Sequence, residues 1–190
     1  MRSATRRRVA LRGVVLLAFG LLTFAVAPRG GPASAQEILL VIHADPLLGF
    51  SIGVPQDWDR TVSPGGTIGF TGPPLPDSDF RPRCLVIPDT VPDGVDLAVF
   101  AEAGELLLRA ALTDYTIVRR RPQTINGVPA VVRHYTWRTE GGARFYGVQA
   151  QMIRGRLAFT VRCITLNDRP ILSAHLPLFE RILESFRLTR

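Results

Sequence analysis

Between residues 115 and 165 the chain passes through four consecutive stretches, 115–121, 130–139, 144–153 and 157–165, in which side-chain character tends to change at every second position. A period of two is the strand pattern, because successive side chains point to opposite faces of a sheet. The last three stretches are joined by Glu140-Gly141-Gly142-Ala143 and by Arg154-Gly155-Arg156. Connections this short close only as hairpins, so these neighbours must pair antiparallel. Any fold that contains this block is built on an antiparallel sheet.

The flanking segments supply the other layers. Phe50, Ile52 and Val54 alternate with Ser51 and Gly53 and stop at Pro55, which predicts a half-buried strand. A short strand is expected over 67–71, a surface loop over the Pro- and Gly-rich 72–82, and a buried strand over 84–87 closed by Pro88. From Asp96, a candidate amino-terminal cap, the period changes to that of a helix: Leu97, Phe100, Ala101, Gly104, Leu107, Leu108, Ala111 and Leu112 recur every three or four residues. A second amphipathic helix is predicted over 174–186, with Leu178, Ile182, Leu183 and Phe186 on one side and Glu180, Arg181 and Glu184 on the other. Pro177 fits that helix only where its regular part begins close by. The class is therefore α+β, with a central antiparallel sheet of about six to seven strands covered by two main helices.

Residues 1–35 read as an export signal. Five arginines, Arg2, Arg6, Arg7, Arg8 and Arg12, precede an apolar run over 14–27, and a Pro/Gly stretch leads to Ala33-Ser34-Ala35. The run is shorter than the roughly 20 apolar residues that span a bilayer. Cleavage after Ala35 is expected, leaving a single domain over 36–190 that works outside the cytoplasm. Retention of the run, which would anchor the same domain to the membrane, is the alternative. Paired arginines make twin-arginine export an alternative to the general route. This leader also holds six of the chain's 23 basic residues and no acid, which leaves 17 basic against 16 acidic residues beyond it. A nearly neutral domain gives no electrostatic footprint for nucleic acid.

Four segments, GFSIGVPQDW (49–58), INGVPAVVRHYTW (125–137), GRLAFTVRC (155–163) and LFERILESFRL (178–188), taken in this order resemble the PsbP-like superfamily. That group includes the extrinsic PsbP protein of photosystem II, DcrB-like proteins and LpqN-like lipoproteins. The resemblance implies an α/β/α sandwich that serves as a non-enzymatic accessory or binding module of the bacterial envelope. It carries over no binding residues. The chain also has no cysteine near the leader, a departure from the lipoprotein members.

Of the candidate sites, His134 stands out: alternation puts it on one sheet face with Val132, Thr136 and Arg138, and Val131, Arg133, Tyr135 and Trp137 on the other. The expected pocket joins His134, Thr136 and Arg138 to Gln149, Gln151, Thr160 and Arg162 of neighbouring strands; a polar sheet face with satisfied hydrogen bonds is the competing reading. Cys84 and Cys163 are either a disulfide or two buried thiols. Trp58 and Trp137 either stack on a flat ligand or cover the edge of the core. Arg119-Arg120-Arg121 reads as edge-strand protection. Asp57, Asp59, Asp77 and Asp79 lack the spacing of a calcium loop, and no metal or other cofactor is expected. No catalytic motif is present, so a small secreted hydrolase assembled from His134, Asp168 and Ser173 stands as the second function. A partner would be an envelope protein complex or a small molecule, with membrane contact only if the leader is kept. Mass spectrometry of the protein from the envelope fraction should find an amino terminus at Gln36; a species starting at Met1 would mark the anchored form.

Overall fold

The structure is a computed structural model that describes residues 38–189. The leader and its cleavage point after Ala35 lie outside the described residues. In chain order the elements are β1 (Leu40–Asp45), β2 (Phe50–Pro55), β3 (Asp59–Val62), β4 (Ile68–Thr71), β5 (Arg83–Thr90), α1 (Leu97–Ala111), β6 (Thr113–Ile125), β7 (Val128–Arg138), β8 (Arg144–Arg154), β9 (Leu157–Leu166), α2 (Arg169–Ser185) and β10 (Arg187–Leu188). Seven strands form one antiparallel sheet in the order β3-β4-β5-β9-β8-β7-β6, and a smaller sheet runs β1-β2-β10. The α+β class expected from the alternation is therefore present, with a second small sheet that the sequence reading did not anticipate.

The four alternating stretches become β6 to β9, and three hairpins join them rather than two. β6 continues through Pro122 to Ile125 and turns at Asn126 (φ 47°) and Gly127 (φ 82°). A two-residue hairpin of this kind needs left-handed backbone at both positions, which Asn-Gly supplies. Pro122 is tolerated because β6 is an edge strand. In the same way β5 runs past Pro88 to Thr90, since β4 pairs only with residues up to Val86 and leaves one side of β5 without a neighbour there. Asn126 also ties the hairpin to the end of α2, its Nδ2 donating to the carbonyls of Glu184 and Phe186, each at 2.7 Å.

One face of the large sheet is apolar and dry. Val132, Val148, Ala150, Met152, Phe159 and Val161 lie on it, and α2 presses Leu178, Phe179, Ile182 and Leu183 against them. Each such side chain fully buried contributes roughly 1.5–3 kcal/mol. α2 starts earlier than its periodicity suggests, at Arg169, with Pro170 in the first turn where a missing N–H costs nothing. Pro177 consequently lies inside the helix, its cost offset by the four core side chains that follow it. β2 is buried on both faces rather than one. Its small residues are the reason: a Cβ on Gly53 would lie 3.2 Å from Ser185 at the end of α2, and the Ser185 hydroxyl accepts the Gly53 N–H at 2.8 Å. Among the described residues the buried core runs from Phe50 to Phe186, with Leu40 and Leu188 packed at its margin, so it lies within the domain expected over 36–190.

Cys84 and Cys163 sit opposite each other in the β5–β9 register, fully buried on the dry face, and form a disulfide. The bridge spans a sequence separation of 79 residues. Closing a loop of that length removes enough unfolded-state entropy to stabilise the fold by about 4 kcal/mol. The double variant Cys84→Ala/Cys163→Ala should therefore keep its fold and lose stability by about that amount in urea unfolding.

Candidate functional site

The opposite face of the sheet is polar at its centre, and α1 does not cover all of it. Asp96 caps the helix, its carboxylate accepting the Val99 N–H at 2.8 Å. The helix lies over β6, β7 and β8, and an arginine with no exposed surface holds it there. Arg133 donates to the Ala101 carbonyl of α1 at 2.9 Å and to Gln151 Oε1 at 3.2 Å, and pairs with Glu105 of α1 at 3.3 Å. Burial pulls the Arg133 guanidinium below its ordinary value, with Tyr115 and Glu105 acting against that pull. Gln151 makes a second link, its Nε2 donating to the Phe100 carbonyl at 3.4 Å. Only glycine at 104 allows this approach, since a Cβ there would meet Gln151 Nε2 at 2.5 Å.

Seated this way, α1 leaves a cleft of about 530 Å³ beside it, above β5, β8 and β9. Its floor is a block of four polar side chains from two adjacent register pairs, Gln149 with Arg162 and Gln151 with Thr160. Its walls are apolar: Val91, Pro92 and Val95 from the loop before α1, and Val99, Phe100 and Leu107 from the helix. Val99 is 54 % and Leu107 72 % exposed, large apolar side chains that line a cavity instead of a core. Volume, apolar walls and a few convergent polar groups are the marks of a small-molecule site.

The seven residues expected to share a pocket do not share one. Gln149, Gln151, Thr160 and Arg162 come together in the cleft, whereas His134, Thr136 and Arg138 belong to the other face: His134 pairs with Val148, and Gln149 pairs with Arg133. Register supplies the reason, since one residue of offset between strands reverses the face. Thr136 and Arg138 instead line a polar pocket of about 150 Å³ at the end of the sheet, where Arg138 pairs with Asp114 at 3.2 Å. Trp58 lies in the core, edge-on to Phe179, and Trp137 stacks between Tyr135 and Phe145. Of the residues proposed for a hydrolase, Ser173 donates its hydroxyl to the Pro170 carbonyl at 2.8 Å, and Asp168 stands at the start of α2, where its side chain makes no capping bond. Among the described residues no group of three or more His, Cys, Asp or Glu side chains could hold a metal, and Asp59 is paired with Arg81. The sequence reading missed the cleft walls, although an α1 with apolar residues at Val99, Leu106 and Leu107 beyond its buried stripe of Ala101 and Leu108 was the available signal.

A family model for the serine/threonine kinase C-terminal domain matches residues 41–188, from β1 to β10. The chain belongs to this family. No curated protein matches the sequence. Solved structures show that the kinase C-terminal domain seen here has the PsbP-like fold. PsbP from the cyanobacterium Synechocystis sp. PCC 6803 aligns with TM-score 0.63 at 16 % identity, over 85 % of this chain and 99 % of that one. LpqN of Mycobacterium tuberculosis, described as involved in cell envelope biogenesis, gives 0.61 at 20 % identity over 80 % and 90 %. The Ran-binding protein Mog1p of Saccharomyces cerevisiae gives 0.58 at 9 % identity over 80 % and 96 %. These similarities establish the architecture, and at such identities they carry no activity across.

In this member of the family His134 is a core residue, 1 % exposed beneath α2. Its Nε2 lies 2.9 Å from Arg119 Nη2 and its Nδ1 3.1 Å from the Tyr146 hydroxyl. A guanidinium only donates, so Nε2 must accept and Nδ1 carries the proton. Arg119 is held in turn by Glu180 of α2 at 3.2 Å. Burial, with Arg119 adding to it, lowers the His134 pKa from 6.5 to about 4. Between those values the unfolded chain binds a proton that the folded chain refuses, so stability falls as pH drops from 6.5 towards 4. The loss should approach about 3 kcal/mol, and His134→Gln should flatten the upper part of that window, between roughly pH 6.5 and 5, in urea unfolding followed against pH.

Proposed function

We propose that this domain is a non-enzymatic accessory and binding module that works outside the cytoplasm, and that the cleft beside α1 is its ligand site. The observation that carries the reading is the cleft itself, an apolar-walled cavity over a floor of Gln149, Gln151, Thr160 and Arg162. The arginine-rich leader, the apolar run over 14–27 and the small residues before Gln36 support export. The family description refers to the C-terminal domain of serine/threonine kinases. Protein kinases place a lysine on the nucleotide phosphates and this sequence contains no lysine, which favours a binding role over kinase chemistry for this domain. A binding role, in which the domain senses or holds a ligand, suits a cleft of this kind.

Ala103 is exposed on α1 and lines the cleft, so a larger side chain there fills the cavity without entering the core. Alanine to tryptophan at an exposed helix position costs under roughly 1 kcal/mol in helix propensity. A thermal-shift screen of residues 36–190 against apolar and amphipathic small molecules should give ligands that raise Tm in the parent protein and lose that shift in Ala103→Trp. Equal shifts in both proteins would place the binding elsewhere.

A further inference from the structure

The cleft floor has a surplus of hydrogen-bond donors, and that surplus specifies the chemistry of what it takes. Arg162 uses one of its N–H groups, Nε, to donate to Gln149 Oε1 at 2.9 Å. None of the ion pairs formed by the described residues includes Arg162. Because Gln149 Oε1 accepts from arginine, the orientation of the amide is fixed, and its Nε2 is the group left without an acceptor. Gln149 is 1 % exposed, so this is a buried donor without a partner at the wall of a cavity. The one carboxylate that lines the cleft, Asp89, is not placed to help. It pairs in register with Ala158, four residues from Arg162 along β9, which is about 13 Å in an extended strand.

We infer that the cleft binds a linear aliphatic carboxylate, with its head group on Arg162 and Gln149 and its tail along the apolar wall formed by Val95, Val99, Phe100 and Leu107. This inference rests on the cleft being the ligand site. The guanidinium N–H groups of Arg162 not used on Gln149, together with its one positive charge, match a monoanionic carboxylate, which accepts in a fork and brings one negative charge. A phosphate dianion would be left with a charge that no second cation of the cleft lining meets. Positive polarity at Arg162 and negative polarity at Asp89 also fix which end of the cavity takes the head. At roughly 30 Å³ per non-hydrogen atom, the density of liquid water, 530 Å³ holds about 18 atoms, so a saturated acid of about 12 to 15 carbons fits within it.

Isothermal titration of residues 36–190 below the micelle concentration tests this with dodecanoate, octanoate and dodecyltrimethylammonium. Dodecanoate should bind one to one. Octanoate should bind more than ten-fold weaker, since each buried methylene contributes about a four-fold factor. Dodecyltrimethylammonium, with the same tail and the opposite charge, should also bind at least ten-fold weaker than dodecanoate, a comparison that needs no variant. Arg162→Gln should weaken dodecanoate by at least ten-fold and leave the ammonium unchanged, and Arg162→Lys should fall between. Equal binding of anion and cation, abolished in Ala103→Trp, would overturn the carboxylate and leave the cleft as the site. Absence of dodecanoate binding, alongside screen ligands that Ala103→Trp blocks, would have the same meaning. Dodecanoate binding that survives Ala103→Trp undiminished would overturn both the carboxylate and the cleft.

Discussion

A guanidinium with no exposed surface is a severe constraint on a small domain, and Arg133 imposes it here. The charge is tolerable only because α1 brings the Ala101 carbonyl and the Glu105 carboxylate to it, and β8 brings Gln151. Removing one partner from such a buried pair costs about 3–5 kcal/mol, which makes the seat of α1 specific as well as stable. Glu105 also draws in Arg109 and Arg120, so one carboxylate serves three guanidinium groups at the place where helix and edge strand meet. The helix is thus pinned over β6, β7 and β8, and the β5–β9 side of the same face stays open. The cleft follows from where that charge is placed.

The two faces of the sheet have divided the work. On the α2 face, apolar side chains, the Cys84–Cys163 bridge and the neutral His134–Tyr146 pair make a dry core. On the α1 face, the polar residues of β8 and β9 are only partly matched to one another, and the helix covers them incompletely. Polar groups left short of partners are costly in a core and useful at a binding surface, where a ligand completes them. Beside the cleft floor, on the same face of the sheet, burial pushes the Tyr135 phenol up to about 12, with the positive charge of Arg162 working against that rise. That field belongs to the same cation assigned to the ligand head group.

Much of this architecture was legible in the residues. Period-two runs and short Gly-containing connections required an antiparallel sheet, and the three- and four-residue spacing after Asp96 required α1. Other elements were hidden for identifiable reasons. The alternation of Phe50, Ile52 and Val54 with Ser51 and Gly53 looks half-solvated, because small residues under an approaching helix end resemble polar residues facing water. Pro122, Pro88 and Pro177 read as boundaries, yet each is tolerated where a neighbouring strand is absent or packing outweighs a lost hydrogen bond. Four of the seven expected pocket residues do meet, and the other three fall on the opposite face.

By itself the sequence determined the strand periodicity, the antiparallel block, the two amphipathic helices and the near-neutral charge beyond residue 35. These are local properties, set by which side chains can alternate across a pleat or stack along a helix. It left open whether Cys84 meets Cys163, which face His134 shares with which residues of β8, and how far α1 extends over the sheet. Only the tertiary structure decided these, because a register and a helix seat are relations between segments distant in the chain. A one-residue shift in the β7–β8 register would have placed Gln149 beside His134. The actual register puts Gln149 beside Arg133 on one side and Arg162 on the other, and so builds the cleft floor.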